Sequence, residues 1–248
     1  MSAANADWSD LRSELDRWEE AGQLASLWWR DDDAVAATPA LDRLLSLAGP
    51  IPLALAVIPE AAETGLAAAL RGRPHIAVLQ HGWSHANHAG AGRKSEFPPG
   101  RRPDLVAADL DAGRRRLTGM FAEIAPVLAP PWNRLAPEFE VLLATLGIEA
   151  LSTMASRQGG ATRKLDVHVD LTAWKAGRGF VGTGPALGGI VAALRRRRLG
   201  LDAAALPTGI LTHHLIMDDA TAEFVGELVA AVAEHAAAGW ADIREALP

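Results

Sequence analysis

Apolar runs and amphipathic stretches alternate along the chain in a regular order. Trp8, Leu11, Leu15 and Trp18 recur at helical spacing and predict an N-terminal helix within about residues 8–25 that packs on the remainder. Ser26-Leu27-Trp28-Trp29-Arg30 reads as a short strand that runs into three acidic residues, Asp31, Asp32 and Asp33. Thr38 as N-cap and Pro39 at the first helical position open a helix that carries Leu41, Leu44 and Leu45 to a stop at Gly49-Pro50. The run from Ile51 to Ile58 is continuously apolar, as a strand buried on both faces is. Residues 60–71 read as helix, 75–80 as a strand ending at His81, and 103–124 as a long helix. Short strands at 125–129 and 148–152 flank a helix over 137–146. The last third continues the alternation with strand 165–171, helix 186–199, strand 208–213 and helix 218–238; from Trp240 onward the chain reads as a tail.

About seven strand–helix units without a break in composition imply one domain over residues 1–248 built on a parallel sheet, either open and doubly wound or closed as a barrel. The chemically active residue types sit at one place in each unit. Asp31 to Asp33 follow the first strand, His81 and His85 the third, Trp132 and Asn133 the fourth; Asp170 ends the sixth and His213 and His214 the seventh. In a parallel sheet all five junctions lie at the carboxyl edge, where active sites of both architectures sit.

Composition narrows the chemistry. The 248 residues contain no cysteine, which removes disulfides, thiolate nucleophiles, zinc fingers and iron–sulfur clusters, so a metal must be held by His and carboxylates. A net charge of −6 argues against nucleic-acid or anionic-membrane partners. No apolar run is long enough to span a bilayer and the N-terminus lacks a signal-like segment, so a cytoplasmic location is expected. His81 and His85, four apart, would face one way on a helical turn, and with a carboxylate from another strand they form a His₂-carboxylate set with open positions, as a catalytic cation needs. Val167 and Val169 alternate with His168 and Asp170, which are expected to share a face. His213 and His214 follow an apolar strand, and the inward one suits acid–base work near neutral pH. His75 and His235 read as structural and His88 as a spare candidate. Gly177–Gly182 matches GxGxxG in a poor context, and Arg195–Arg198 reads as a solvated helix end.

These residues, in this order, resemble the polysaccharide deacetylase (NodB-like, carbohydrate esterase family 4) superfamily. The resemblance runs from Trp29 to Asp218 and implies a single-domain deformed, TIM-barrel-like (β/α)-barrel of about seven parallel strands. The family's Asp-Asp pair, base first and metal ligand second, has two registers within Asp31–Asp33; Asp32 as base and Asp33 as ligand is preferred. Its H-(S/T)-x-x-H motif is similar to His81–His85, with Gly82 in place of the hydroxyl residue. Its R-P-P-Y segment is similar to Ala129-Pro130-Pro131-Trp132, without the arginine that holds the base; Arg30 or Arg134 are the possible substitutes. Asp170 and Trp174 resemble the fourth motif, and Leu211-Thr212-His213 the closing L-x-H. There Leu211 would line the acetyl-methyl pocket and His213 would be the acid, with His214 as the alternative. The resemblance implies a divalent metal, most readily zinc, on Asp33, His81 and His85, and hydrolysis of an N-acetylated sugar or small amide. The alternatives are a non-catalytic sugar- or metal-binding barrel and a different metal-dependent C–N hydrolase.

Overall fold

A computed structural model describes residues 5–155, 162–203 and 206–247. The order is α1 (Trp8–Glu20), β1 (Ala25–Ala34), α2 (Pro39–Ala48), β2 (Leu53–Val57), α3 (Thr64–Leu70), β3 (Ile76–Gln80), α4 (Pro103–Met120), β4 (Val127–Leu128), α5 (Glu140–Thr145), β5 (Ala150–Leu151), β6 (Arg163–Lys164), β7 (Val167–Asp170), α6 (Thr183–Arg198), β8 (Thr208–Thr212), α7 (Asp219–Glu234) and β9 (Ala238–Trp240). The Thr38 hydroxyl accepts from the Leu41 N–H, with Pro39 leading α2, as the sequence predicts. No helix among the described residues is long and apolar enough to cross a membrane.

Among the described residues every pairing between these strands is parallel, in the order β6-β5-β4-β3-β2-β1-β8-β7. β6 and β7 are two halves of one extended segment: the first half runs beside β5 and the second beside β8. Met154 bridges Val167, and the Val167 N–H donates to the Thr153 carbonyl at 2.8 Å, so the curled sheet returns on itself as a deformed (β/α)-barrel. The supposed tail differs from expectation. β9 pairs with the start of β1, Ala25 opposite Ala238 and Leu27 opposite Trp240. Three residues are too few to show a strand pattern in sequence.

Alternation along the strands sorts the core. Ala54, Ala56, Ala77, Leu79, Val127, Ala150, Val167 and Leu211 point inward with Trp28. Leu27, Trp29, Leu55, Val57, Val78 and Ile210 point outward beneath α1, α2, α6 and α7, while α4 and α5 cover Leu128 and Leu151. The alanines make room for the Trp28 indole. Gly209 is required beside it, since a Cβ there would lie 2.4 Å from Trp28 Nε1 and 2.6 Å from the Asp166 carbonyl. The arginines ending α6 are largely engaged rather than solvated: Arg196 meets Asp202 and Arg198 meets the buried Glu14, each at 2.7 Å, and Arg197 is buried and donates to the Leu206 carbonyl.

β7 carries a bulge. Val167 lies opposite Gly209 and Val169 opposite Ile210, so two steps of β7 meet one of β8. Val167 therefore faces the inner cluster and Val169 the outer one, and His168 and Asp170 do not share a face. The His168 ring instead takes the Gly209 N–H on Nδ1 at 2.9 Å and lies 3.4 Å from Arg197. Burial, then the Arg197 charge, lowers its pKa to about 4. The unfolded chain binds the proton first, so stability present above pH 6.5 is lost as pH falls toward 4, by at most about 3 kcal/mol. His168→Asn, whose amide oxygen can still accept from Gly209, is expected to flatten this part of the stability–pH curve in denaturant titrations. An unchanged slope between wild type and variant would count against the assignment.

Candidate active site

Adjacent strand residues ordinarily point to opposite faces, yet Asp31, Asp32 and Asp33 have three different destinations. Asp31 pairs with Leu55 and Ala34 with Val57, so β1 holds one residue more than β2 across this stretch, and Asp33 adopts φ 72°. Asp tolerates that left-handed conformation better than most residues. Asp31 follows Trp29 to the outer face, where it accepts from Thr212 Oγ1 and His214 Nδ1, both at 2.5 Å. Asp32 turns inward with Arg30, and Asp33 is left at the rim facing His81 and His85.

Arg30 is fully buried. Its Nε lies 2.8 Å from Asp32 Oδ1 and its Nη2 donates to Oδ2 at 3.0 Å. Nη1 donates to the Ser152 carbonyl and hydroxyl at 3.0 and 2.7 Å, and Nη2 also reaches Asn133 Oδ1 at 2.5 Å. Of the two arginines expected as substitutes, Arg30 is the one on Asp32; Arg134 donates to the Lys94 carbonyl.

His81 and His85 do not share a helical turn. Residues 81–85 form a loop in which Gly82 and His85 take φ 61° and 58°. The loop still brings both Nε2 atoms to Asp33 Oδ1, at 3.2 Å from His81 and 3.3 Å from His85. The Ala129 carbonyl can only accept, so the His81 Nδ1 at 2.8 Å carries a proton and the lone pair of the neutral ring is on Nε2. One donor atom from each of the three residues lies within 4.8 Å of the others, and Asp33 Oδ1 is buried without a hydrogen-bond donor. Burial pushes the Asp33 carboxyl up, but the adjacent His81 and the fields of His81, His213 and His85 when protonated outweigh it and hold it well below the usual carboxylate range. A nitrogen–nitrogen–oxygen set of this kind fits a divalent first-row cation.

The β7 bulge aims Asp170 into the same mouth. Its carboxylate accepts from Trp174 Nε1 at 2.7 Å and lies 3.9 Å from His213 Nδ1, while the Trp174 ring meets the His213 ring edge-on at 4.7 Å. On the other side Trp132 lies against His85, centroids 4.3 Å apart. Leu211 is wholly buried in the inner cluster, and Pro131 is buried beside Gly82. His214 is spent on Asp31. Burial lowers its pKa, the hydrogen bond and charge of Asp31 and the charge of Asp33 raise it, and the net direction is up. His88 is exposed and outside the cluster.

Glu96 is a residue that sequence reasoning missed. It is fully buried and accepts from the Trp83 N–H at 3.2 Å and from the Ser84 N–H and hydroxyl at 2.8 and 3.1 Å, bracing the turn between the two histidines. It also accounts for Gly82. A Cβ there would lie 1.9 Å from Glu96 Oε2 and 2.6 Å from Pro131 Cδ, so the hydroxyl residue of the resembled motif has no room.

No family model matches the sequence, and no curated protein matches it. Solved structures do match in fold. A Mycobacterium smegmatis protein assigned to the polysaccharide deacetylases aligns over all of this chain and 94% of its own, with TM-score 0.61 and 19% identity. A family 4 acetyl xylan esterase from Clostridium thermocellum, in complex with a cobalt ion, aligns over 90% of this chain and 93% of its own, with TM-score 0.57 and 13% identity. A CE4 family pseudoenzyme from Bacillus anthracis aligns over 88% of this chain and 63% of its own, with TM-score 0.55 and 12% identity. The chain has the fold of the family 4 polysaccharide deacetylases and esterases.

The Glu96 brace has a measurable consequence. Glu96→Ala strands two backbone N–H groups and is expected to weaken binding of a divalent cation by about 10- to 100-fold, the usual cost of losing support behind a ligand. Gly82→Ser should do the same and also destabilise the fold by about 1–3 kcal/mol through overpacking. Calorimetric titration with zinc checks both, and wild-type affinity in either variant would refute the bracing role.

Proposed function

We propose that the chain is a metal-dependent hydrolase that removes the acetyl group from an N-acetylated sugar or a related small amide. One observation carries the reading. The Asp33–His81–His85 donor set adjoins the Arg30-held Asp32, and the Trp174-backed His213 is near enough for its charge to act on Asp33. A divalent cation held by the donor set, zinc or a similar ion, supplies a Lewis acid for the acetyl carbonyl and lowers the pKa of a bound water.

The chain's own residues do the rest. Asp32, aimed by the Arg30 fork, accepts a proton from the attacking water. The Trp132 N–H, which has no acceptor among the described residues, is available to the developing oxyanion. His213 donates a proton to the departing nitrogen, which is a poor leaving group until protonated. It lies on the inner face with Leu211, whereas His214 sits on the opposite face in the grip of Asp31. Trp132 and the half-exposed Trp174 stand on either side of the mouth, where aromatic faces suit a sugar ring.

The test joins elemental analysis to turnover of an N-acetylated hexosamine. His81→Ala with His85→Ala is expected to remove both metal and turnover. Asp32→Asn and His213→Ala should keep the metal and lower kcat by about 100-fold or more, with His214→Ala the milder change. Unchanged metal stoichiometry in the double variant overturns the donor set, and a more damaging His214→Ala overturns the choice of acid. A metal-loaded wild type that hydrolyses nothing favours a binding barrel, the reading that Ala129 in place of the family's arginine invites.

A further inference from the structure

Beside the proposed catalytic mouth lies a cavity of about 870 Å³. Its two walls, the 88–99 loop and the 133–137 segment, are tied by a bridge between Phe97 and Leu135 and by the Ala136 N–H on the Phe97 carbonyl at 3.0 Å. Phe97, Leu135 and Val141 give it an apolar side. Its charge is the opposite of the chain's: Arg93, Arg134 and Lys164 line it against Glu140 alone. Lys164 is neutralised by Glu140 at 2.6 Å. That leaves two guanidiniums, and neither has a carboxylate partner among the described residues.

The two arginines are close enough to repel. Burial, then the charge of Arg93, lowers the Arg134 pKa. Arg134 spends Nη1 on the Lys94 carbonyl, and its remaining donors meet no acceptor among the described residues. The cavity borders the catalytic mouth at Asn133, which is part of its lining and takes Arg30 Nη2. A ligand seated in the cavity is thus one residue removed from the group that holds Asp32.

We propose that this cavity is an anion subsite. The substrate is an N-acylated sugar or amide carrying a carboxylate or a phosphate, which Arg93 and Arg134 bind while the apolar wall takes its hydrocarbon part. The proposal rests on the deacetylase reading for what is hydrolysed, though not for what is bound. Guanidinium forks match both anions in geometry, and each charge-assisted hydrogen bond adds roughly 10-fold or more to affinity.

The test measures binding apart from turnover. The metal-loaded protein is titrated calorimetrically with glucosamine, with its 6-phosphate and with muramic acid, the deacetylated forms, so that no reaction is needed. At least one anionic sugar is expected to bind about 10-fold or more tightly than glucosamine, and which one does so separates phosphate from carboxylate. Arg134→Met should bring the two affinities together, Arg134→Lys should retain part of the difference, and Arg93→Glu, at an exposed position, should invert it. Equal affinity for neutral and anionic sugars in the wild type, or discrimination that survives all three variants, overturns the subsite. Tighter anion binding without hydrolysis of any acetylated counterpart leaves the subsite standing and removes the deacetylase reading.

Discussion

A guanidinium withdrawn from water costs several kcal/mol unless its hydrogen bonds and charge are met inside the protein. Arg30 meets that demand by drawing on three parts of the barrel wall. Asp32 is on its own strand, Ser152 lies just past β5, and Asn133 is in the turn after β4. Those groups can converge on one side chain only if the barrel is narrow, and its inner face is accordingly built of alanines on β2, β3 and β5. Gly209 serves the same end by letting the Trp28 indole lie against the backbone of β7 and β8. The packing below the mouth is set by the need to enclose one charged residue, and the orientation of Asp32 follows from it.

Two departures from regular strand geometry then fill the mouth. The extra residue in β1 lets neighbouring carboxylates face one site, with Asp32 turned to Arg30 and Asp33 to the histidines. The extra residue in β7 turns Asp170 inward against Trp174. Among the described residues five non-glycine residues have positive φ, and four of them are here: Asp33, His85, Trp132 and Asn133. Such conformations cost free energy and persist where surrounding contacts over-determine them. Asn133 is pinned by Arg30, His85 and Trp132 pack on one another, and the Glu96 carboxylate fixes the turn leading to His85.

Much of the fold was legible because its signals are local. The cap at Thr38, the apolar run of β2 and the pause at each strand's carboxyl end depend only on neighbours in sequence. The carboxyl-edge argument reached Asp33, His81 and His85, which the structure draws into one cluster. What escaped needed knowledge of a partner. The β7 bulge reversed the parity that had put His168 beside Asp170, and nothing in Val167-His168-Val169-Asp170 announces it. β9 is too short for a pattern. Ser152, at the end of β5, obeyed the same positional rule as the recognised residues but is not a residue type associated with catalysis. Glu96 sits in an irregular loop and acts on backbone N–H groups, which have no sequence signature.

The departures from the resembled pattern are also coupled to one another in space. Where the pattern has an arginine before the Pro-Pro pair, this chain has Ala129, and its carbonyl orients His81. The positive charge on Asp32 comes instead from two residues earlier on the same strand, a spacing that puts both side chains on one face without help from the Pro-Pro loop. Likewise Gly82 vacates the space that the Glu96 carboxylate occupies. In each case the missing group is matched by a charge entering from another element at hydrogen-bonding distance. A guanidinium that donates to a carboxylate fixes its orientation whichever strand supplies it, so the arginine missing from its usual position leaves Asp32 with a charged partner all the same.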